Sequence, residues 1–450
     1  VRPCYDEKNR TFVRKKGVVT MRRRIFCIDS VSFYASCECA ARNKNPYKTK
    51  LVVLSNLQDS GALVLAATPK MKQLGIKTGS RRFHIDRLPW HERRDVLYAE
   101  ARMNHYLNVS IQIIHILHQF APPEAIRVYS IDETLVDMSG TERLFGSDEH
   151  VAHLMRATIF RYTGIPVTIG IGPNNVLAKL VLDLHAKKKG VATCLLHDVE
   201  RLIHPAPIEK MWGVGTKMAV HLQRLGIWTI GDLARYPLES LHEKFGVIGA
   251  ELWHHAWGID ESPTILPASS LFGAKRMRPK SIGHGITLMK DYTTYSAIRL
   301  VLQAIAVEVG MRTRQAGLVG GTIHLGVRYT RTSDRAGFSK QKKLPRFTAD
   351  EQEFLPILLQ LFLDGWEETE AVRYVSVALG KLEPRSDHVQ LSFFEDEWAK
   401  AKRLDFLDLI DGLNVRFGRG TIRPASSLLK DSPLRTRQRL IGGHKQGGDS

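Results

Sequence analysis

Cysteine is scarce in this 450-residue chain. Its five cysteines (Cys4, Cys27, Cys37, Cys39 and Cys194) are an odd number in a large protein. That is a poor basis for a disulfide framework and favours a reducing cytoplasm. Cys37 and Cys39 stand one residue apart, and the paired CxxC spacing of a structural zinc site is absent. No window approaches the ~20 consecutive apolar residues of a membrane span, which excludes a membrane-spanning helix. The first residues are basic and polar, without the apolar core of an export signal, and Met21, just ahead of a strand-like run, is an alternative start. Negative charge is also in short supply: 46 Asp and Glu face 65 Lys and Arg, for a net charge of +19 and a pI near 9.7. Such a surplus favours a polyanionic partner, nucleic acid first.

What is present is otherwise ordinary for a globular protein: 43% hydrophobic and 25% charged residues exclude a largely disordered or fibrous chain. The length suits about two to four domains. "RIFCID" reads as a buried strand ending at Asp29, and "VSFYASCECAARN" as a helix. Two apolar runs, "KLVVLSN" and "GALVLAAT", read as strands, and "PKMKQLGI" as a short helix. Apolar residues recur at helical spacing from Tyr106 to Phe120, before Pro122-Pro123. The strands "IRVYSID", "TLVDMSG" and "PVTIGIG" then alternate with the helices "EHVAHLMRATIFRYTG" and "NNVLAKLVLDLHAKKKG", which implies helices layered on a sheet.

Between about 199 and 258 the chain turns to short helices. Gly213-Val214-Gly215, followed by Lys217, has the form of a helix-hairpin-helix turn whose free N–H groups suit a phosphate, with a plain packing corner as the alternative. Farther on, "TYSAIRLVLQAIAVEVGMRTR" carries a helical apolar stripe. "GTIHLGVRYTR" alternates, with Ile323, Leu325, Val327 and Tyr329 on one face and His324, Arg328 and Arg331 in the polar part of the run. Residues 271–350 hold fifteen Lys or Arg against four Asp or Glu, more than half of the chain's surplus. A sheet laid on a phosphate backbone needs such a concentration, although a solvated basic face has the same composition. The segment past 395 reads as partly helical, "EDEWAKAKRLDFLDLIDGLNVRFG", ending in a basic stretch without fixed structure. His254-His255 reads as packing or surface.

Three carboxylates stand out by their settings: Asp29 at the end of one apolar strand, and the adjacent Asp132 and Glu133 after another. A carboxylate among apolar neighbours is costly unless it is paired or binds a cation, so three together point to hard divalent ions. Adjacent strand residues face opposite ways, so Asp132 and Glu133 can share a site only if the chain bends there.

"CIDSVSFYASCE" and "YSIDETLVDMSG", with 103 residues from Asp29 to Asp132, resemble the two catalytic motifs of the Y-family DNA polymerases, nearest to the UmuC-like bacterial branch. "GIPVTIGIGPNNVLAKL", "WGVGTKMAVHLQRLGIWTIGDL" and "KSIGHGITL" are similar to the same family and follow in the same order, so the resemblance covers about residues 24 to 395.

The resemblance implies an α+β multidomain chain, a right-hand polymerase with a ferredoxin-like palm, small fingers, a helix-hairpin-helix thumb and an α/β little finger. The palm is 21–31 with 99–186, the fingers 32–98, the thumb 187–258, the little finger 272–383, and a tail spans 384–450. Two Mg²⁺ ions, with Mn²⁺ as a substitute, fall to Asp29, Asp132, Glu133 and the backbone of Ser30. Tyr34, after Phe33, matches the steric gate against a ribose 2′-hydroxyl; Lys179 and Lys72 match triphosphate contacts, while Pro69 stands where several relatives carry a tyrosine. Gly213, Gly215, Lys217, Arg328 and Arg331 are DNA-binding candidates. "QLSFF", with Gln390, Leu391, Phe393 and Phe394, resembles the peptide that docks on the sliding clamp (beta subunit).

The activity implied is error-prone translesion synthesis from dNTPs on primer-template DNA, without proofreading, within a damage (SOS) response in the cytoplasm at the nucleoid. An accessory mutagenesis subunit or a recombinase filament is a further partner in this reading, and no membrane is involved. The competing readings are a catalytically silent polymerase-like scaffold tethered to the clamp, and a helix-hairpin-helix repair nuclease or glycosylase. Intact carboxylates at all three positions argue against the first, and the second leaves Tyr34, Lys179 and the last domain without roles.

Overall fold

The structure, a computed structural model, describes residues 5–6, 11–12, 23–260, 262, 279–385, 397–418, 420–429, 432–433, 440–441 and 444–445. The chain divides into two compact units, 1–272 with 447–450, and 273–446.

In the first unit, β1 (Ile25–Ser30) leads into α1 (Phe33–Ala40), followed by β2 (Leu51–Leu54), β3 (Val64–Ala67), α2 (Pro69–Gln73) and β4 (Leu97–Glu100). α3 (Met103–Leu117), β5 (Ile126–Val128), β6 (Glu133–Asp137), α4 (Asp148–Thr163), β7 (Val167–Gly172), α5 (Asn175–Val181) and β8 (Val191–Thr193) come next. Two sheets result. The larger has the order β8-β7-β1-β6-β5, and the smaller β3-β2-β4. In the larger sheet only β8 and β7 are parallel.

β1 lies at the centre of the larger sheet and is buried on both faces, with Ile25, Phe26, Cys27 and Ile28 all enclosed. The edge strand β8 falls just past residue 186, so this sheet extends beyond the 99–186 segment of the sequence reading.

The alternation Gly170–Ile171–Gly172 in β7 has a packing reason. A Cβ at Gly170 would stand 2.2 Å from the carbonyl oxygen of Ala178, and one at Gly172 would stand 2.7 Å from the Ala178 nitrogen. Glycine there lets α5 lie directly on the strand, and α5 carries Lys179. The helix then widens into a π-turn over Leu182–Ala186 before Lys187–Lys189 and Gly190. Residues 196–260 are short helices, among them α6 (Thr216–Gln223), α7 (Ile230–Arg235), α8 (Leu238–Phe245) and α9 (Val247–Ala256), packed around Ile208, Leu222, Ile230, Leu233 and Leu241.

The second unit is an antiparallel sheet of long strands, β9 (Ser281–Tyr292), β10 (Leu318–Tyr329), β11 (Gly337–Thr348) and β12 (Val372–Pro384), in the order β9-β12-β10-β11. Two helices, α10 (Tyr295–Gln315) and α11 (Glu351–Leu363), cover one face through Ile298, Leu302, Ile305, Phe354 and Phe362. The expected alternation in β10 holds: Ile323, Leu325, Val327 and Tyr329 are buried, and Arg328 is exposed. Register pairs place Gly283, Gly285, Ser376, Ala378, Gly326, Thr322, Gln341 and Lys343 on the opposite face, a row of small and polar residues.

A helix α12 (Glu397–Phe417) packs on this unit: Arg314 of α10 makes a bidentate pair with Asp411 at 2.8 and 3.2 Å, and Arg403 pairs with Asp350. This part of the segment after 384 is therefore docked structure. Among the described residues no helix is long and apolar enough to cross a membrane.

Candidate active site

β1 and β6 run antiparallel in a register that sets Asp29 directly opposite Glu133. Residues in such a pair share a face, so the two carboxylates project together. β5 ends at Val128, three residues short of Ile131, and the chain turns: the Tyr129 and Ser130 N–H groups both donate to the Glu133 carbonyl at 3.0 Å. Asp132 sits in this turn, ahead of the first strand residue, and so escapes the alternation that would send it to the far side. The Ser130 hydroxyl donates to Asp132 Oδ1 at 2.6 Å, and the Ser30 N–H donates to the Asp132 carbonyl at 2.9 Å, tying the turn to the end of β1. The bend expected from the sequence is present.

α5 and its continuation bring two lysines to these carboxylates. Lys179 Nζ is 2.9 Å from Glu133 Oε1 and 3.3 Å from Asp183 Oδ2; Lys187 Nζ is 2.7 Å from Asp183 Oδ1 and 3.5 Å from Asp29 Oδ2. A regular helix drifts by about 40° every four residues, and the wider π-turn at Leu182–Ala186 offsets that drift. Lys179, Asp183 and Lys187 consequently line one side.

Burial pushes the Asp29 carboxyl up to about 6; the nearby charges of Asp132 and Glu133 add to this, while Lys187 and Lys179 oppose it. For Lys179, burial works to lower the pKa, but the hydrogen bond to Glu133 and the charge of Asp183 more than offset it and hold the ammonium above its usual value. Lys187 is raised in the same way, against burial, by Asp29 and Asp183. Cys27, two residues before Asp29 on the same strand face, donates its thiol to Glu133 Oε1 at 3.1 Å. Burial and the Glu133 charge keep that thiol protonated, well above its usual range.

Among the described residues no three His, Cys, Asp or Glu side chains converge into a ready cation cage. The two ammonium groups instead stand where positive charge is needed. Hard oxygen donors on one sheet edge, already balanced by two cations, are chemically suited to divalent ions that take oxygen ligands.

The Tyr34 ring stacks on Tyr106 with centroids 4.5 Å apart, and burial together with the charge of Asp132 raises its hydroxyl above the usual value. Phe33 is buried beside it. Lys72, on α2, is exposed; partial burial and the Lys187 charge shift its ammonium down, with Asp29 opposing.

Gly213 takes φ +94°, and Gly215 caps α6, so the N–H groups of its first turn are presented to solvent beside the exposed Lys217. Trp212, just before this hairpin, meets Tyr129 of the carboxylate turn edge-on at 5.9 Å. Arg328 lies over the Tyr374 ring at 4.9 Å, and Arg331 is exposed. Gln390, Leu391, Phe393 and Phe394 lie outside the described residues.

Three groups at the site were not singled out from sequence: Asp183, Lys187 and Cys27. The recurrence of Lys179, Asp183 and Lys187 every four residues was a visible signal for the first two. Nothing but the pairing of β1 with β6 could have flagged Cys27.

Most of the chain is similar to known proteins. Residues 28–183 match the impB/mucB/samB family, residues 279–393 its C-terminal domain, and residues 209–260 the thumb domain of DNA polymerase iota. The chain is 36% identical to DNA polymerase IV 2 of Bacillus subtilis (strain 168) over 93% of its own length and 98% of that protein's. It is 35% identical to DNA polymerase IV of Pelotomaculum thermopropionicum over 95% of its length and all (100%) of that protein's. A solved chimeric Y-family DNA polymerase shares the fold, with a TM-score of 0.60 at 22% identity over 80% of this chain and 98% of the other. The near-full-length relatives make the chain a DNA-directed DNA polymerase. The chain belongs to the Y-family, the impB/mucB/samB polymerases of lesion bypass.

Proposed function

We propose that the chain extends a primer 3′-hydroxyl on a damaged DNA template by two-metal-ion nucleotidyl transfer, without proofreading. The observation that carries this is the register pairing of Asp29 with Glu133, with the turn that bears Asp132 tied to the end of β1 by the Ser30 N–H. Asp29, Asp132, Glu133 and the backbone of Ser30 would hold two Mg²⁺ ions, or Mn²⁺ in their place. When bound, such ions activate the attacking hydroxyl and neutralise charge on the departing pyrophosphate.

The lysines take different roles in this reading. Lys179 is held by Glu133 and Asp183 and is 12% exposed, so it balances the carboxylates. Lys187, 45% exposed at the rim, is better placed to meet the triphosphate, with Lys72 as a second contact. Tyr34 excludes the ribose 2′-hydroxyl.

In this assignment the palm is 21–31 with 99–186, the fingers are 32–98, the thumb is 187–258, whose β8 pairs with the palm sheet, and the little finger is 272–383. The first turn of α6, with Gly213, Gly215 and Lys217, binds a backbone phosphate. The helix-free face of the second unit, small and polar with Arg328 at one end and Arg331 just beyond, lies against the duplex and supplies sequence-independent affinity. Gln390, Leu391, Phe393 and Phe394 recruit the sliding clamp, which supplies processivity. An accessory mutagenesis subunit or recombinase filament is a further partner, and the protein acts at the nucleoid.

The test is extension of a labelled primer with Mg²⁺ and dNTPs. Extension by the wild type that vanishes in Asp132→Ala/Glu133→Ala supports the reading. DNA binding without extension, with clamp present, would make the chain a scaffold. The same assay with rNTPs tests Tyr34→Ala, which is expected to admit ribonucleotides.

A further inference from the structure

Tyr34 does not stand alone on α1. Four residues further along the same helix, and so on the same side, is Glu38, whose side chain is completely buried. Tyr106, fully buried on α3, spans the two. Its ring lies under Tyr34, 4.5 Å away and tilted by only 15°, while its hydroxyl donates to Glu38 Oε1 at 2.8 Å.

The carboxylate is pinned from two further directions. Arg102, at the entry to α3, donates to Oε1 at 2.9 Å and to Oε2 at 3.0 Å, and Arg42, just past the end of α1, donates to Oε2 and to the Glu38 carbonyl.

Burying a charged carboxylate is costly, and a bidentate arginine with a tyrosine hydroxyl fixes its geometry far more tightly than apolar packing would. A flat ring held at one end by that carboxylate gives Tyr34 a fixed surface. The need is physical. A gate that works by steric exclusion fails if its ring can turn to another rotamer, and Tyr34 is only partly buried, so core packing does not enclose it on all sides.

We propose that Glu38 and Tyr106 are positioning residues for sugar selection: together they hold the Tyr34 ring in the orientation that meets the 2′ position of an incoming nucleotide. The inference rests on the reading of Tyr34 as the gate. The ring beneath the gate sets its height, and the hydroxyl-to-carboxylate bond sets the angle of that ring.

The experiment is single-nucleotide insertion opposite a template guanine, measuring kcat and KM for dCTP and for CTP. Wild type is compared with Tyr106→Leu, Tyr106→Phe, Glu38→Gln, Tyr34→Ala and the double variant Tyr34→Ala/Tyr106→Leu, each checked for a folded thermal transition. Tyr106→Leu removes the supporting ring and is expected to lower the dCTP/CTP ratio of kcat/KM about tenfold; Tyr106→Phe and Glu38→Gln, which keep the ring but loosen it, lower it about threefold. The double variant is expected to discriminate no worse than Tyr34→Ala alone, because both changes act through one ring.

If Tyr34→Ala leaves the ratio intact, the gate reading itself fails. If Tyr34→Ala collapses the ratio while folded Tyr106→Phe and Tyr106→Leu keep it, or lose dCTP and CTP turnover in equal proportion, the gate stands and the positioning role is overturned. Should Tyr106→Leu not fold, the Tyr106→Phe ratio decides alone.

Discussion

Lys179 Nζ lies 2.9 Å from Glu133 Oε1, so the lysine expected at the triphosphate is paired with a carboxylate expected to bind metal. Each partner is nearly buried, and each answers the other's desolvation. An ammonium at that distance also opposes the approach of a second cation.

Lys179→Met should therefore act in two directions. With a chelator present it leaves Glu133 buried and unpaired, a loss of about 3 kcal/mol in stability. In a Mg²⁺ titration followed by thermal unfolding, the same variant should reach its half-maximal stabilisation at a lower ion concentration than wild type, because the competing charge is gone. A change confined to KM for dNTP would instead assign Lys179 to the triphosphate.

The Cys27 thiol donates to the oxygen of Glu133 that Lys179 also holds. Groups behind a metal ligand set its orientation. Cys27→Val, close in size but without a donor, should raise the Mg²⁺ concentration for half-maximal primer extension about threefold, in line with loss of a weak hydrogen bond. Cys27→Ser keeps a donor and should stay near wild type. Equal behaviour of the two variants would reduce Cys27 to a packing residue.

Glu38 supplies a pH-dependent part of the stability. Burial pushes its carboxyl up, but hydrogen bonds from Arg102, Arg42 and Tyr106 outweigh burial and hold it below the ordinary value of 4.5. A depressed folded-state pKa means that this stabilisation is fully present above 4.5 and is lost as pH falls through the lower folded value. Glu38→Gln should cost about 3 kcal/mol at neutral pH. The gap in Tm between wild type and variant should narrow as the buffer is taken below 4.5. A gap that stays constant with pH would show the carboxylate to be unpaired in solution.

In the second unit, Arg314 binds Asp411 of α12 in bidentate fashion, together with the Ala349 carbonyl at 2.8 Å and Glu351 at 3.1 Å. Arg314→Met should destabilise the unit by about 3 to 5 kcal/mol and expose α12 to limited proteolysis, since it strands a buried carboxylate. Adding Asp411→Leu should recover most of the loss. Proteolysis at the wild-type rate in Arg314→Met would mean that α12 is held by its apolar contacts, such as the buried Leu407.

The sequence by itself determined the elements and the class of chemistry. The apolar run ending in Asp29 specified a buried strand with an acid at its end; the run before Asp132-Glu133 specified a second strand, which stops at Val128 and is largely exposed. The order of the motifs carried the family, and the basic surplus near residues 271–350 carried the polyanionic partner. Those features are local, or are summed along the chain, and need no knowledge of what lies across a sheet.

Tertiary structure alone decided which groups meet. The pairing of β1 with β6 set Cys27 on Glu133, and the docking of α5 on glycine-bearing β7, followed by one π-turn, set Lys179 against Glu133 and Lys187 against Asp29. Tyr106 came under Tyr34 from a helix 72 positions away along the chain, and Asp411 reached Arg314 across 97. Such contacts depend on strand register and on how closely helices approach a sheet, and close packing settles both only once the whole core is assembled.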